Sequence, residues 1–427
     1  MSTPDAGLAL HPFRALRPRV DAERLSRLLC PPYDVIDDAA RTALLAADPD
    51  NAVALILPTE ERDAEGQDRY QAAANRLDAA EQRGLYATDA DPALYVYELT
   101  DNRGAATRGL IGAVELRDPA DNVILPHENT MAGPVADRLA LMIATEANLE
   151  PIYLVYDGGG AASDAVAQVR PEDAIAQTTT PDGISHRLWA LTDPAQLAAI
   201  NADLRERRAL IADGHHRYAT YRELQKRWDS ERGRGPWDRG LTLLVDSSSY
   251  GPQVHAIHRV VTGVGLAELL ARADGWCTTT DVADPEAGLL LAGQTHGFAA
   301  VLADAERSVL LTDSHGRLAE ATAEPGGVRA LAELDVTVLH RTLVGTVWAI
   351  PDDVEHLGYA HSVTEALASA ARVDGTAVLL RPTPVAAVAA VAAAGGRMPR
   401  KSTLFTPKPA SGLVMRLFAD EGDAVGR

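Results

Sequence analysis

The stretch RRALIADGHHRYATYREL, residues 207–224, constrains the fold more than any other part of the chain. Its apolar tetrapeptide at 209–212 is short and bounded by charged residues, which predicts a buried strand. Downstream, large apolar residues recur at the spacing of a helix with one face in the core. Residues 213–217 are therefore expected to form the turn between this strand and this helix. The expected core-facing positions are Tyr218, Tyr221, Leu224 and Trp228.

The turn itself has the composition of an anion site. The first N–H groups of a helix lack intrahelical partners and carry partial positive charge, so a helix start attracts phosphate. Gly214 lets the backbone approach a ligand closely. Arg217 can fork two phosphate oxygens, while His215 and His216 add hydrogen-bond donors or a proton-transfer group. Asp213 fits three roles, which are helix N-cap, Mg²⁺ ligand and catalytic base.

Two structural interpretations compete with a phosphate site at residues 213–217. In the first, Asp213 only caps the helix and both histidines lie on the surface. Five polar or conformationally special residues in a row at a strand-to-helix turn favour function over that interpretation. In the second, the histidines bind structural zinc, but adjacent histidines point in different directions and no cysteine pair accompanies them. We therefore predict that residues 214–217 bind phosphate or nucleotide, with Asp213 and His216 catalytic.

Three further motifs carry candidate site residues. In LPHENT, residues 125–130, Glu128 beside His127 is a candidate base, and the alternative is a helix-capping loop with an exposed carboxylate. Arg138, in the helix predicted after it, is expected to pair with Glu128 or contact phosphate, and His127 is a candidate substrate contact. In CPPYDVI, Asp34 is a candidate ligand for a metal or a substrate amine and Tyr33 a stacking platform for a base, with a structural turn as the alternative.

The motif MPRKSTLFTPK, residues 398–408, is a cationic and hydroxyl-rich segment in an acidic chain. Its residues Lys401, Ser402 and Thr403 are candidate phosphate or nucleotide contacts, because cations and hydroxyls both donate to oxyanions. A G-x-x-x-x-G-K sequence does not precede them, which excludes an ordinary Walker loop. The structural alternative is a basic surface loop.

Charge and composition narrow the class of partner. The formal net charge is −20, with 60 acidic and 40 basic side chains, and no concentrated basic patch is evident. Such a surface repels nucleic acid, so we expect a small-molecule substrate and no nucleic-acid partner. Two cysteines cannot make a disulfide framework, and the N-terminus lacks a basic leader with an apolar core. The alanine-rich run at 384–396 is shorter than a membrane span and predicts a packed helix stopped by glycine. A soluble cytoplasmic protein is the expectation, with its oligomeric state open.

Alternating apolar and helical patterns predict a mixed fold, α/β or α+β, around a mixed sheet. Strands are predicted in PALYVYELT, RGLIGAVEL, PIYLVY and LTLLVD, and a surface connection is predicted at 157–165. We divide the chain into residues 1–260, which carry the PPYD, PHENT and DGHHR motifs, and residues 261–427, which carry MPRKST.

Four separated motifs, IADGHHRYAT, CPPYDVI, LPHENT and MPRKSTLFTPK, resemble the bacterial and archaeal family catalogued as domain of unknown function 1015. The resemblance runs from HPFRALRP to SGLVMRL, nearly the whole chain. That family is sometimes grouped with the ParB and sulfiredoxin-like superfamily, whose members hold nucleotide phosphates with a G-x-x-R loop at a helix start. Some of those relatives are free-serine kinases with a similar D-G-H-x-R sequence. A sulfiredoxin reaction is disfavoured, because His215 and His216 stand where it needs a cysteine.

The resemblance implies a nucleotide-dependent phosphotransferase acting on a small hydroxyl substrate, with free L-serine and O-phosphoserine as the reactants in either direction. It implies ATP or ADP with Mg²⁺ held by Asp213, Glu128 as the base and Lys401 neutralising developing charge. Three alternatives stay open: a ParB-like nucleotide-binding, DNA-associated factor, which the net charge disfavours, a phosphate-ligand sensor without turnover, and a hydrolase with a phosphorylated histidine.

Overall fold

The computed structural model describes residues 7–59, 68–313 and 316–421. The chain packs into two compact units. The first unit is Met1–Leu125, Thr130–Pro252 and Pro407–Arg427, and the second is Pro126–Asn129 and Gln253–Thr406. The PHENT motif and the MPRKST motif thus fall largely in the second unit, and the predicted boundary after residue 260 lies inside the strand His258–Val261.

The first unit is built on a mixed sheet, which confirms the predicted fold class. The strands of the first unit are β1 (Leu10–His11), β2 (Leu16–Pro18), β3 (Tyr86–Thr88), β4 (Leu94–Thr100), β5 (Ala106–Glu115), β6 (Ile124–Leu125), β7 (Ala147–Asn148), β8 (Ile152–Tyr156), β9 (Ala176–Thr179), β10 (Ser185–Leu191), β11 (Ala209–Asp213), β12 (Arg239–Asp246) and a closing strand, Arg416–Leu417. The mixed sheet has the order β6-β11-β8-β12-β5-β4-β10-β9, with β1 paired to β5, while β2 pairs with β3 and β7 with the closing strand. β11 is parallel to β6 and antiparallel to β8, while β12 is parallel to β8.

The helices of the first unit cover this sheet and extend from it. They are α1 (Ala22–Leu28), α2 (Asp38–Ala47), α3 (Val53–Ile56), α4 (Arg69–Gln82), α5 (Ala132–Thr145), α6 (Gly160–Ala167), α7 (Pro194–Leu204) and α8 (His215–Arg232). Short 3₁₀ turns lie at Tyr33–Val35, Pro119–Asp121, Pro171–Asp173, Pro236–Asp238 and Ala419–Glu421.

The strands predicted from alternation are confirmed as β4, β5, β8 and β12, and β4 pairs with β5 as an antiparallel neighbour. The surface connection predicted at 157–165 is wrong from residue 160, where α6 begins. Its Ala162, Ala165 and Val166 are buried in the main core. Small side chains at i, i+3 and i+4 spacing make a narrow apolar face, and the run of glycines before it obscures that face in the sequence.

The second unit is built on an antiparallel sheet. Its strands are β13 (Gln253–His255), β14 (His258–Val261), β15 (Thr278–Val282), β16 (Ala299–Ala303), β17 (Ser308–Thr312), β18 (Leu357–Ala360), β19 (Thr376–Leu380) and β20 (Leu404–Thr406). The order in the sheet is β15-β17-β16-β19-β14-β18, and β13 and β20 form a separate ribbon. Its helices are α9 (Leu266–Ala273), α10 (Pro285–Gly293), α11 (Arg317–Thr322), α12 (Arg329–Ala332), α13 (Asp335–Thr337), α14 (Val363–Arg372), α15 (Val385–Ala393) and a π-helix, Val338–Val347.

The alanine-rich helix predicted near the end of the chain is confirmed as α15. It packs Val388, Val391 and Ala392 inward, and Gly395 follows it at φ +74°. Within the residues that the structure describes, no helix combines the length and apolar character of a membrane span.

One buried arginine fastens the C-terminal segment to the first unit. Arg416 is fully buried, and its guanidinium bonds both oxygens of Glu421 at 2.6 and 2.7 Å. It also donates to the side-chain oxygen of Asn148 and to the carbonyls of Arg239 and Pro236, at 2.7–3.0 Å. A planar guanidinium alone can serve such a set of acceptors at once.

Replacing Arg416 by alanine is expected to lower the free energy of unfolding by about 3–5 kcal/mol, because it leaves the buried Glu421 carboxylate with Arg239 at 4.0 Å as its remaining ion-pair partner. Arg416→Lys should recover only part of the loss, because an ammonium cannot donate two parallel hydrogen bonds to one carboxylate as a guanidinium does. Urea denaturation measures the change. Arg329→Ala is the control, because Arg329 is 91% exposed in its pair with Glu333 and should cost under about 1 kcal/mol. Equal losses in the two alanine variants would contradict the role of Arg416.

Candidate functional site

The predicted strand-to-helix turn is confirmed, and it is shorter than expected. β11 ends at Asp213 and α8 begins at His215, so Gly214 alone makes the turn. Gly214 has φ +91° and ψ +30°, a left-handed conformation that other residues adopt at a cost. A Cβ at this position would lie 3.1 Å from the Nε atom of Arg217. The conformation therefore favours glycine, and any other side chain would also force the Arg217 guanidinium to shift.

The core-facing helix positions predicted from periodicity are also confirmed. Tyr218, Tyr221, Leu224 and Trp228 are all buried. The hydroxyl of Tyr221 donates to the carbonyl of Glu150 at 2.9 Å, which anchors the helix beside the strand end. The start of α8 is thus held rigidly at the edge of the sheet.

Arg217 points into the protein and braces the turn from behind. Its side chain is 3% exposed, and it donates from Nη2 to Asp213 Oδ2 at 2.5 Å and from Nη1 to the carbonyl of Pro151. Its Nε atom has no hydrogen-bond partner among the described residues. Burial alone would lower the pKa of Arg217, but the charges of Asp213 and Glu150 raise it above its ordinary value. The Arg217 guanidinium, which was predicted to bind phosphate, therefore binds protein groups instead.

Lys408 joins the turn to a second carboxylate, and the sequence analysis missed it. Its Nζ atom lies 2.5 Å from Asp213 Oδ1 and 2.9 Å from Asp34 Oδ2. A row of alternating charge results, Asp34–Lys408–Asp213–Arg217. Asp34 is its outer member, with a side chain that is 39% exposed, whereas the other three are largely buried. The available signal was that Lys408 is one of three lysines in the chain and ends a cationic motif.

The charges in this row hold one another ionised. Burial alone would raise the pKa of Asp34, but the charges of Lys408 and Arg217 outweigh it and lower that pKa. Burial would lower the pKa of Lys408, but Asp213 and Asp34 raise it. Both groups are therefore charged at neutral pH.

The two histidines lie at the start of α8, and neither is a freely exposed surface residue. His215 is buried, and His216 is half-buried. The Nε2 atom of His216 accepts a hydrogen bond from the backbone N–H of Met131 at 3.1 Å, which requires that nitrogen to be unprotonated. Burial lowers the pKa of His216, which favours the same neutral form. The alternative in which Asp213 caps the helix is wrong, because Gly214 is the N-cap and no side chain of the described residues caps the helix.

Tyr33 and Arg138 belong to the same unit, where they contact each other. The Arg138 guanidinium carbon lies 4.3 Å from the centroid of the Tyr33 ring, and burial raises the pKa of Tyr33 to about 12. Arg138 meets the carboxylates of Asp137, at 2.6 Å, and Glu150, at 3.9 Å, where the sequence analysis had suggested Glu128. Glu150, a buried residue that the sequence did not single out, accepts from the Tyr33 N–H at 3.1 Å.

Behind the turn lies a small cavity of about 20 Å³, room for about one water molecule. Arg138, Glu150 and Arg217 form its charged walls, and the remaining lining is mainly apolar. The charged walls are tied to neighbouring protein groups, so the cavity is a structural continuation of the turn.

Asp213, the residue predicted to bind Mg²⁺, is already paired with two cations. One of its oxygens lies 2.5 Å from Lys408 and the other 2.5 Å from Arg217, so a metal ion there would have to compete with both. The part of the chain that the structure describes contains no group of three histidine, cysteine or carboxylate side chains placed to hold a metal ion.

The remaining predicted residues lie in the second unit, where two motifs meet. The Nε2 atom of His127 lies 3.1 Å from the hydroxyl of Thr403, and its carbonyl accepts from the Met398 N–H at 2.8 Å. Ser402 is buried and donates to the carbonyl of Pro399 at 2.5 Å. Glu128 and Lys401 belong to these same two segments, Glu128 half-buried and Lys401 exposed. PHENT and MPRKST thus form one cluster, and PPYD and DGHHR form another in the first unit.

The family model described as protein of unknown function (DUF1015) matches residues 10–337. The chain belongs to this family. The match includes the PPYD, PHENT and DGHHR motifs and ends before residues 398–408. No curated protein matches the chain.

Three solved structures are similar at low identity. A free serine kinase in complex with AMP is 17% identical, with a TM-score of 0.35, over 66% of this chain and 83% of that one. A conserved hypothetical protein from Pyrococcus furiosus is 16% identical, with a TM-score of 0.33, over 67% and 88%. C-terminally truncated SbnI from Staphylococcus aureus is 12% identical, with a TM-score of 0.36, over 73% and 90%.

The charge row predicts a defined pH window for the contribution of Lys408. The difference in free energy of unfolding between the protein and Lys408→Met should be largest near neutral pH. The folded pKa of Asp34 is lowered below 3.8, so its contribution is present above that value and lost as the pH falls through the folded pKa. The folded pKa of Lys408 is raised above 10.5, so its contribution is lost as the pH rises through the folded value.

Urea denaturation across this pH range measures the difference. Lys226→Met is the matched control, because Lys226 is 66% exposed on α8 and should show no such window. A Lys408→Met difference that is flat from acid to alkaline pH would show that the row does not couple these charges.

Proposed function

We propose that this chain is a nucleotide-dependent phosphotransferase acting on a small hydroxyl substrate. The observation that carries the proposal is the row Asp34–Lys408–Asp213 at the start of α8. It combines a helix N-terminus opened by a left-handed glycine, a lysine and an exposed carboxylate, which are the groups that phosphoryl transfer uses to bind and to orient. Free L-serine as the acceptor, and O-phosphoserine as the donor in the reverse direction, follow from the resemblance of DGHHR to the D-G-H-x-R of free-serine kinases.

Phosphate binding is assigned to Gly214, His215 and His216. Gly214 leaves the approach to the helix N-terminus open, and the N–H groups of the first helical turn donate to phosphate oxygens. His216 stays neutral at pH 7, and its Nε2 atom accepts from the backbone. It therefore serves best by shaping the site, not by transferring a proton from that atom.

Charge neutralisation is assigned to Lys408, in place of the predicted Lys401. Lys408 shares the first unit with the phosphate turn and already bridges two carboxylates there. Positive charge beside the transferring phosphoryl group stabilises the charge on its oxygens. Arg217 is assigned a positioning role, because it holds Asp213 and Asp213 in turn holds Lys408.

The base is assigned to Asp34, in place of the predicted Glu128. Asp34 is the exposed carboxylate of the row, and its lowered pKa keeps it ionised at neutral pH. In the forward reaction the substrate hydroxyl proton passes to Asp34. The hydroxyl oxygen bonds to phosphorus as the bond from phosphorus to the nucleotide bridging oxygen breaks. A weakly basic carboxylate suffices, because a loose phosphoryl-transfer transition state develops little charge on the attacking oxygen.

One observation favours a second candidate, a phosphate-ligand sensor without turnover. Arg217 and both oxygens of Asp213 are engaged by the protein itself, so the turn is already complete as a structural element. A sensor needs only the helix N-terminus and Lys408 for its ligand. Turnover separates the two functions.

Replacing each of the two candidate carboxylates by its amide, in separate variants, tests the assignment of the base. Asp34→Asn should lower kcat for serine phosphorylation by about 10²–10⁴-fold, since it removes a general base, with nucleotide affinity changed little. Glu128→Gln is the matched variant in the second unit and should retain more activity. Isothermal titration with ATP and ADP, and formation of O-phosphoserine with ATP as donor, provide the two readouts.

Each result has a distinct meaning. Full turnover in Asp34→Asn with loss in Glu128→Gln would restore the base predicted from the sequence. Nucleotide binding without turnover in either direction would establish the sensor. Absence of nucleotide binding in the unmodified protein would overturn the phosphotransferase, and absence of O-phosphoserine binding as well would overturn the sensor.

A further inference from the structure

A fully buried arginine in the second unit supports the segment that carries MPRKST. Arg259, on β14, is 0% exposed. Its Nε atom donates to His340 Nε2 at 2.9 Å and its Nη1 atom to the carbonyl of Ile257 at 2.6 Å. Its Nη2 atom donates to the carbonyls of Arg400 and Lys401, at 3.2 and 3.0 Å. The guanidinium therefore fixes the backbone of residues 399–403, which we name the basic loop.

All the hydrogen-bond acceptors of Arg259 are neutral. It forms no ion pair with a carboxylate in the described residues. The acidic groups that influence it are Asp352, which bonds the far nitrogen of His340 at 2.9 Å, and Glu128. Burial lowers the pKa of Arg259 to about 10. A buried charge without a counter-ion is costly, so an anion bound nearby would compensate it.

Two more cations of the basic loop also lack carboxylate partners among the described residues. The Nζ atom of Lys401 lies 5.2 Å from the centroid of the Tyr359 ring, and the Arg259 guanidinium lies 4.7 Å from the same centroid. Arg400 raises the local positive charge further, because its charge contributes to lowering the pKa of His340. In a chain with a net charge of −20, a cluster of three cations without ion pairs marks a place for an anion.

The backbone of the basic loop turns its donors away from Arg259. In a trans peptide the carbonyl and the following N–H point in opposite directions. Since the carbonyls of Arg400 and Lys401 point to Arg259, the N–H groups of Lys401 and Ser402 point away from it. The Lys401 N–H donates to no described residue. Residues 400 and 401 form a tight turn with Lys401 at φ +51°, and this turn directs the Ser402 N–H toward the Pro399 carbonyl.

We propose that the basic loop binds a phosphate group, with the N–H and the ammonium of Lys401 as its donors. Arg259 positions the loop and supplies a fixed charge beneath it. Phosphate fits better than a carboxylate, because its tetrahedral oxyanion presents more oxygens and more negative charge to donors from several directions. The site belongs to the second unit and does not depend on the phosphotransferase activity proposed for the first.

Lysine chemistry gives a direct test, because the chain contains three lysines, Lys226, Lys401 and Lys408. Reductive methylation with ¹³C-formaldehyde labels each while keeping its charge, and Lys→Arg variants assign the three NMR signals. Inorganic phosphate is titrated in at constant ionic strength. The Lys401 signal should shift and saturate, while the signal of the exposed Lys226 should not. A Lys401 signal that stays fixed, or that moves only in parallel with Lys226, would overturn the proposal.

Two variants measure how the basic loop works. Lys401→Met removes an exposed ammonium and should weaken phosphate binding about tenfold or more by isothermal titration, whereas Lys226→Met should not change it. Arg259→Lys keeps the charge, but its ammonium cannot hold two carbonyls and His340 together. It should weaken binding as well, with circular dichroism confirming that it folds. Unchanged phosphate affinity in Lys401→Met would overturn the assignment of the ammonium.

The same labelled protein separates this site from the phosphotransferase site. ATP should shift the Lys408 signal if the proposed function holds, whatever happens at Lys401. O-phosphoserine binding more tightly than inorganic phosphate at Lys401 would identify a phosphomonoester site, and equal affinity would identify a site for free phosphate. A response at Lys408 alone, to every phosphate tested, would overturn the second site and leave the proposed function standing.

Discussion

The bridging of Asp213 by two cations is the interaction on which the site of the first unit depends. One carboxylate oxygen meets Lys408 and the other meets Arg217, each at 2.5 Å. Two cations compensate the desolvation of one buried carboxylate, and the exposed Asp34 balances the second positive charge. The strand end, the helix start and the C-terminal segment are thereby joined at one point. A ligand would meet a charge arrangement that is already fixed, which lowers the cost of ordering it on binding.

The two units solve the problem of a buried arginine in different ways. In the first, Arg217 and Arg416 each meet a carboxylate as well as backbone carbonyls. In the second, Arg259 meets only neutral acceptors, and its charge is left to act on the basic loop. The difference matters because a carboxylate offsets the charge of Arg217 and of Arg416, whereas no carboxylate among the described residues pairs with Arg259.

Local features of the site could be predicted from the sequence because they depend on local spacing. The strand at 209–213, the helix face of Tyr218, Tyr221, Leu224 and Trp228, and the glycine turn between them all follow from periodicity and backbone conformation within twenty residues. The orientation of Arg217 did not follow. A side chain at a helix start can point to solvent or inward, and the carbonyl of Pro151 that draws it inward lies 66 positions away.

The sequence by itself determined that this chain has a mixed α and β fold, a net charge of −20 and a strand–glycine–helix turn at residues 209–232. Only the tertiary structure decided which charges meet there. Lys408 lies 374 positions from Asp34, and Arg259 lies 141 positions from Arg400. Contacts between residues so far apart in the chain produce no spacing pattern from which they could be predicted. The physical reason is that backbone hydrogen bonding and hydrophobic periodicity act between near neighbours in the chain. Long-range ion pairs depend on where the packed elements bring their ends together.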